Sequence, residues 1–365
     1  MARKDTNHYP CEACGADLRF APGQTRLVCD HCGHVQDIPP ATGRGTATLH
    51  ELDLDAALRA ELPALEMEDH RTVSCPNCAA MIELSGATHA AECPYCATPV
   101  VVDTGTHRLI KPQGVVPFVL TEAQARAALG RWLGRLWFAP SGVAKYARRG
   151  RKMTGIYAPF WTFDAQTRSA YHGQRGTYYY ETRTVTVRVD GRNEQRQEQV
   201  RHIRWKSVAG RVARAFDDVL IYAARSLPPR YTDALKPWDL TALAAYRPDY
   251  LAGFEAEGYT VDLREGHYLA RAEMAHVIAS DVRRDIGGDE QRIDRIDTDF
   301  SDETFKHILL PVWTAAYRYR GRSYRFVVNG QTGRVQGDRP WSAWKIAFAV
   351  LLALILAGVV AYFNR

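Results

Sequence analysis

The sequence predicts an α+β protein with two N-terminal four-cysteine zinc ribbons, a mainly antiparallel α+β cytoplasmic region and one C-terminal transmembrane helix. Three observations carry this: a duplicated cysteine pattern, long aromatic strands on either side of one helix, and a charge-free apolar run that ends the chain. The 365 residues divide into a first ribbon over 1–40, a linker with a short helix over 41–70, a second ribbon over 71–105, the α+β region over 106–338 and a tail anchor over 339–365.

The first unit reads Cys11-Glu-Ala-Cys14, fourteen residues, then Cys29-Asp-His-Cys32. The second reads Cys75-Pro-Asn-Cys78, fourteen residues, then Cys93-Pro-Tyr-Cys96, displaced by 64 positions, and the two units use all eight cysteines. Two residues between cysteines let a tight turn aim both sulfurs at one ion, and two such turns close a tetrahedral site, the usual structural arrangement for Zn2+. Glycine after the second cysteine of a pair (Gly15, Gly33) frees the backbone to donate N–H bonds to sulfur. Four protein ligands leave no position for water or substrate, so these are expected to be structural sites. A rubredoxin-like iron site has similar geometry, and disulfides would need an oxidising compartment. His31 and His34 stand close enough to Cys32 to substitute as ligands, but with four cysteines present they read as surface residues. Eight thiolates on two divalent ions would lower the formal charge from +6 by 4, to +2, which removes most of the global basic signal. The ribbons carry mixed charge and few stacking aromatics (Phe20, Tyr95), which disfavours nucleic acid as their partner.

Between the ribbons, Ala41–Gly45 reads as a turn and Leu52–Met67 as a short acidic helix interrupted by Pro63. Beyond them, Thr121-Glu-Ala-Gln124 is a capping box opening a helix in which Ala125, Ala128, Leu129, Trp132, Leu133 and Leu136 recur at helical spacing. Arg126–Lys152 holds eight basic residues and no acid: a solvated segment, or one drawn to anionic lipid. Strands follow over Tyr157–Tyr171 and Tyr178–Val189, turned by Asp190-Gly191 towards Ile203 and Trp205. Leu263–Arg284 reads as a helix ended by Ile286-Gly-Gly288. Pro311-Val-Trp-Thr314 echoes Pro159-Phe-Trp-Thr162, either as a weak duplication or as two central strands of one sheet.

No phosphate-binding G-x-x-x-x-G-K-[ST], H-E-x-x-H or G-x-S-x-G occurs, and no cysteine is left over as a nucleophile, so no enzyme is expected. Asp217-Asp218 and the Asp281/Asp285 pair are carboxylates that ordinarily face solvent or bridge to arginine.

Ile346–Phe363 is apolar all round, with Trp341, Trp344 and Lys345 before it and Tyr362 and Arg365 at its end, as interfacial anchoring requires. Arg334, Arg339 and Lys345 against Arg365 place the body on the cytoplasmic side of a single-pass protein of the cell inner membrane, and no apolar segment follows MARKDTNHYP to act as a signal peptide. The mean hydropathy of −0.31 argues against further spans.

Taken together, the twin ribbons, YAPFWTFDAQT, FDDVL, DIGGDEQRI, FKHILLPVW, VVNGQTGRVQG and the terminal apolar run resemble a bacterial family of zinc-ribbon, single-pass membrane proteins. Its members are often labelled "primosomal protein N′ (replication factor Y), superfamily II helicase" or "TFIIB-type zinc ribbon-containing". The ATP-binding motifs that a helicase requires are missing from this chain. The resemblance implies protein partners of the PspA-like or SPFH/flotillin-like kind and a non-catalytic role as a membrane-stress or membrane-remodelling adaptor. A membrane-tethered nucleic-acid-binding or replication-associated protein is the alternative.

Overall fold

The computed structural model describes residues 9–38, 51–59, 67–83, 90–96, 98–101, 105–138, 153–189, 192–319, 322–338 and 342–363. The chain begins with a three-stranded antiparallel meander, β1 (Leu18–Phe20), β2 (Arg26–Cys29) and β3 (Val35–Asp37). It presses Leu18, Phe20, Leu27 and Ile38 onto the body. The helix expected over Leu52–Met67 is far shorter. Asp53 caps α1 (Leu54–Leu58), Leu52–Asp53 forms β4, and Met67 already belongs to a strand. Pairing of β4 with a later strand, at Phe305↔Leu52, overrides the helical pattern there. The turn expected at Ala41–Gly45 lies outside the described residues.

The second cysteine unit is framed by β5 (Met67–Ser74), β6 (Met81–Glu83), β7 (Ala90–Glu92), β8 (Pro99–Val101) and β9 (Gly105–Ile110). Next come β10 (Gly114–Val115) and α2 (Glu122–Gly134). Thr121 and Gln124 make both reciprocal capping-box bonds, as the sequence predicts. Ala125, Ala128, Leu129 and Leu133 are buried, with Trp132 and Leu136 packed beside them. Most of the basic segment, 139–152, lies outside the described residues.

The dominant elements are β11 (Thr154–Val189) and β12 (Arg192–Tyr222), an antiparallel hairpin far longer than a typical strand of five or six residues. The two strands read separately over Tyr157–Tyr171 and Tyr178–Val189 are one, because no proline or turn falls between Tyr171 and Tyr178. The turn residues Asp190-Gly191 lie outside the described residues. Then follow α3 (Pro229–Leu235), β13 (Ala244–Ala245), β14 (Glu255–Gly258), α4 (Leu263–Ile286), β15 (Glu290–Tyr319), β16 (Arg322–Asn329) and β17 (Val335–Gly337). β15 lies antiparallel to β11 from Thr154↔Thr314 to Gly176↔Glu290. Tyr157 faces Pro311 and Pro159 faces Leu309, so the two Pro-x-Trp-Thr motifs sit on neighbouring central strands of one sheet.

Beyond Gly176, among the described residues, β11 and β12 alone continue, paired from Thr177↔Arg204 to Val189↔Arg192. At about 3.3 Å per residue this two-stranded arm reaches roughly 40 Å past the third strand. Below the arm, α4 lies across the sheet with Leu263, Gly266, Ala270, Met274, Ile278, Val282 and Ile286 buried, a stripe at three- and four-residue spacing. Gly266 lets the helix approach Trp161, since a Cβ there would stand 2.7 Å from the indole Cδ1. Asp262 caps the helix and Gly287, at φ 64°, ends it where the sequence predicts.

The chain closes with α5 (Ala343–Phe363). Trp344–Phe363 has mean hydropathy 2.8 and none of it is buried. Twenty residues at about 1.5 Å each give roughly 30 Å, long and apolar enough to cross a bilayer core. The α+β class, the antiparallel sheets, the two four-cysteine clusters and the apolar terminal helix therefore agree with the sequence reading.

Candidate metal centres and the polar clusters around them

Each cysteine quartet converges. Cys11 Sγ lies 3.6 Å from Cys32 Sγ and Cys14 Sγ 3.6 Å from Cys29 Sγ. In the second unit, Cys75 to Cys96 and Cys78 to Cys93 are also 3.6 Å. All eight are free thiols, far beyond the roughly 2.05 Å of a disulfide. A tetrahedron with metal–sulfur bonds of about 2.3 Å has edges of about 3.8 Å, so either quartet could hold a metal ion of the zinc type. Neither His31 nor His34 belongs to the first quartet.

The turns explain the convergence. The N–H of Gly15, Gly33 and Ala79 donates to the carbonyl of Cys11, Cys29 and Cys75, at 2.8, 2.9 and 2.9 Å. Sulfur is reached by the next amide along, Ala16 to Cys14 and His34 to Cys32, with Thr98 serving Cys96. The glycine thus acts by bending the chain, not by donating to sulfur itself. Gly15 and Gly33 sit at φ 75° and 73°, and Ala79 adopts φ 57° at the matching position. A side chain in that region costs about 1 kcal/mol. Ala79→Gly is therefore expected to stabilise the second unit by about 0.5–1 kcal/mol, read as greater resistance to chelator-induced unfolding.

The two quartets differ in setting. In the first, Cys14 and Cys32 are exposed, and its three-stranded sheet stands apart from the main one. Main-chain bonds from Phe20 N to Ala252 O and from Gly23 N to Phe118 O link it to the body. In the second, Cys75, Cys93 and Cys96 are buried among Phe160, Ile308, Leu310 and Val312. Here β6 pairs with β14, so the ribbon shares the body's sheet.

The junction holds a polar network with no sequence signature. Tyr95, inside the last Cys-x-x-Cys, donates to Glu257 Oε2 at 2.6 Å, and Tyr222 donates to the same oxygen at 2.8 Å. Glu257 Oε1 is buried without a hydrogen-bond partner. Burial raises this carboxyl to about 7, against its tyrosine and serine hydrogen bonds, which act to lower it. The folded state therefore binds the proton more tightly than the unfolded chain. Glu257 costs nothing below the ordinary value of 4.5, and its cost grows as pH rises to about 7, reaching about 3 kcal/mol. Glu257→Gln keeps an acceptor for both tyrosines without the charge. Between pH 6 and 8 the wild type should lose about 1 kcal/mol more stability than this variant in denaturant titrations.

A second cluster surrounds Lys306, whose side chain is 6% exposed. Its Nζ lies 2.9 Å from Glu51, 3.2 Å from Asp164 and 2.9 Å from Asp218. Asp164 sits where β11 changes register against both neighbours, and Asp218 and Asp302 adopt φ of 53° and 52° on the two flanking strands. These bulges turn three strands at one level and bring the carboxylates inward. Asp164, Asp217 and Asp218 present oxygens within 4.8 Å of one another, but the ammonium of Lys306 already takes the cation's place. Burial raises Asp164, with Glu51 and Asp218 adding to it. Burial opposes the charge on Lys306, yet hydrogen bonds to Asp218 and Glu51 and the charge of Asp164 carry it above its ordinary value.

The Asp281/Asp285 pair is bridged as expected of such acids. Arg214 forks onto Asp281 at 2.5 and 2.8 Å, and Asp285 accepts from the Tyr171 hydroxyl at 2.5 Å.

No protein-family model matches this chain, and no solved structure matches it. It is similar to a Bacillus subtilis (strain 168) protein described as "Uncharacterized protein YdjG", at 25% identity over 346 residues. The alignment covers 93% of this chain and 92% of that protein.

Proposed function

We propose that the protein is a membrane-anchored, non-catalytic adaptor whose cytoplasmic body recruits protein partners. One observation carries the reading: two four-sulfur sites, each with its ligand set complete, in a chain that also carries an unburied apolar helix long enough to cross a bilayer core. A tetrahedral four-thiolate site leaves no position for substrate, so zinc there builds structure. α5 serves as the span, and the positive residues before it hold the body in the cytoplasm.

The surfaces offered to partners are the exposed side of the first ribbon and the β11–β12 arm. On the arm, Tyr180 is 62% and Tyr179 40% exposed, with the Arg204 guanidinium 5.1 Å from the Tyr179 ring centre. Aromatic and arginine side chains are enriched at protein interfaces. The resemblance stated above makes PspA-like and SPFH/flotillin-like proteins the first partners to seek.

Crosslinking in cells, membrane solubilisation with nuclease, purification and mass spectrometry test this. Wild-type protein should retain protein partners after nuclease, while Tyr179→Ala/Tyr180→Ala and Cys14→Ser variants lose them severalfold. Release of replication proteins by nuclease would instead establish the nucleic-acid reading.

A further inference from the structure

The end of α2 and the start of α5 are clasped together. Ser342 N donates to Phe138 O at 2.8 Å, and Lys345 Nζ donates to Trp137 O at 3.1 Å. Around this clasp stand two large aromatic side chains that are mostly open to solvent: Trp137 and Trp344 are each 81% exposed. α2 itself packs its other face into the core through Ala125, Ala128, Leu129 and Leu133. Its last turn presents Arg131 and the C-cap Arg135, four residues apart and both exposed. After Glu122 the helix carries no acidic residue.

We infer that the end of α2 is a second membrane contact, with Trp137 seated in the headgroup layer of an anionic bilayer beside α5 and Arg131 and Arg135 facing its phosphates. This rests on α5 being the span. Given that, the rest is geometric. The interfacial layer is about 6–8 Å deep on each side of the hydrocarbon core, and Trp137 is joined through its own carbonyl to a lysine at the mouth of the helix. A tryptophan at that level, apolar in body and with one N–H to satisfy, is best accommodated among headgroups. Exposed arginines next to it attract anionic lipid, at about 1 kcal/mol each close to the surface. A protein partner would also cover aromatics, but the position of the patch against the helix mouth and its one-signed charge favour lipid. The body then stands on two points, with its orientation to the bilayer fixed.

The test places a photo-crosslinking benzoylphenylalanine at position 137, 344 or 180 of the full-length protein, in phosphatidylglycerol or phosphatidylcholine nanodiscs. Lipid adducts are expected at 137 and 344 within a fewfold of each other, and none at 180, on the distant arm. Arg131→Glu/Arg135→Glu should reduce the adduct at 137 severalfold in phosphatidylglycerol and leave 344 unchanged. Adducts at 344 without any at 137 would overturn the contact while leaving the span intact. A chain-to-chain adduct at 137 would overturn it in favour of a second copy. No lipid adduct at either position, with the protein extracted by alkaline carbonate, would remove the span and the contact together.

Discussion

Cys93→Ser is expected to unfold the body, whereas Cys14→Ser disables only the first ribbon. Cys93 is 1% exposed and shares a core with Phe160, Ile308, Leu310 and Val312 from the central strands. A serine there cannot complete the four-thiolate site, and structural zinc contributes about 10–16 kcal/mol in ribbon-like peptides. Loss of even a third of that, about 4 kcal/mol, is a large part of the 5–15 kcal/mol that holds a typical domain together. The damage spreads because β6 bonds to β14 and β14 to β11, so a loosened knuckle pulls on the sheet itself. Cys14 is exposed in the turn that precedes a separate three-stranded sheet, and its loss is confined. Wild-type protein purified under reducing conditions should carry two equivalents of zinc. Chelator should remove them in two phases, first from the quartet in which Cys14 and Cys32 are exposed. Cys14→Ser should retain one equivalent and a cooperative melt of the body, while Cys93→Ser should lose that melt and become protease-sensitive throughout. Equal damage from both substitutions would show that the ribbons are energetically equivalent, against the burial described here.

The cysteine quartets were legible because metal ligation imposes a short-range rule. A turn of fixed length must join each pair, so spacing alone names all eight residues. The Thr121–Gln124 cap and the Gly287 stop of α4 are local in the same way. The network at the ribbon junction has no such rule: Tyr95 and Glu257 are 162 residues apart, and nothing in either neighbourhood says that they meet. Leu52–Asp53 was misread because helical periodicity is local, while its pairing with Thr304 and Phe305 is decided 250 residues later. The arm illustrates a third case. Alternation of Val185, Val187 and Val189 with polar residues marked a strand, but its continuity with Tyr157–Tyr171 depends on which neighbours accept it.

Lys306→Met is the substitution that separates a structural ion cluster from a solvated one. Methionine matches the length of the lysine stem, so packing against β11 is largely kept and the change is chiefly electrostatic. What remains is Glu51, Asp164 and Asp218 facing one another without their shared cation. Removing one partner of a buried ion cluster typically costs about 3–5 kcal/mol, because the remaining charge stays buried. The loss should also depend on pH, with a definite sign. In the variant the Asp164 carboxyl, already raised by burial, loses the ammonium that opposed that rise and moves further up. A raised carboxylate favours the folded state only when protonated, so the variant should recover stability as pH falls through the carboxylate range and lose it towards neutrality. Lys306→Met/Asp164→Asn should restore much of the loss at pH 7, since the amide needs no cation and can still accept from Asp218 N, which now donates to Asp164 Oδ1 at 2.5 Å. Denaturant midpoints of the three proteins at pH 5 and 7 decide the matter. A single-variant loss below about 1 kcal/mol, unchanged with pH, would mean that water screens the cluster as it screens surface pairs. A large loss repaired by Asp164→Asn would show that the paired bulges are held in place by charge, and that the bend they impose on three strands depends on one lysine.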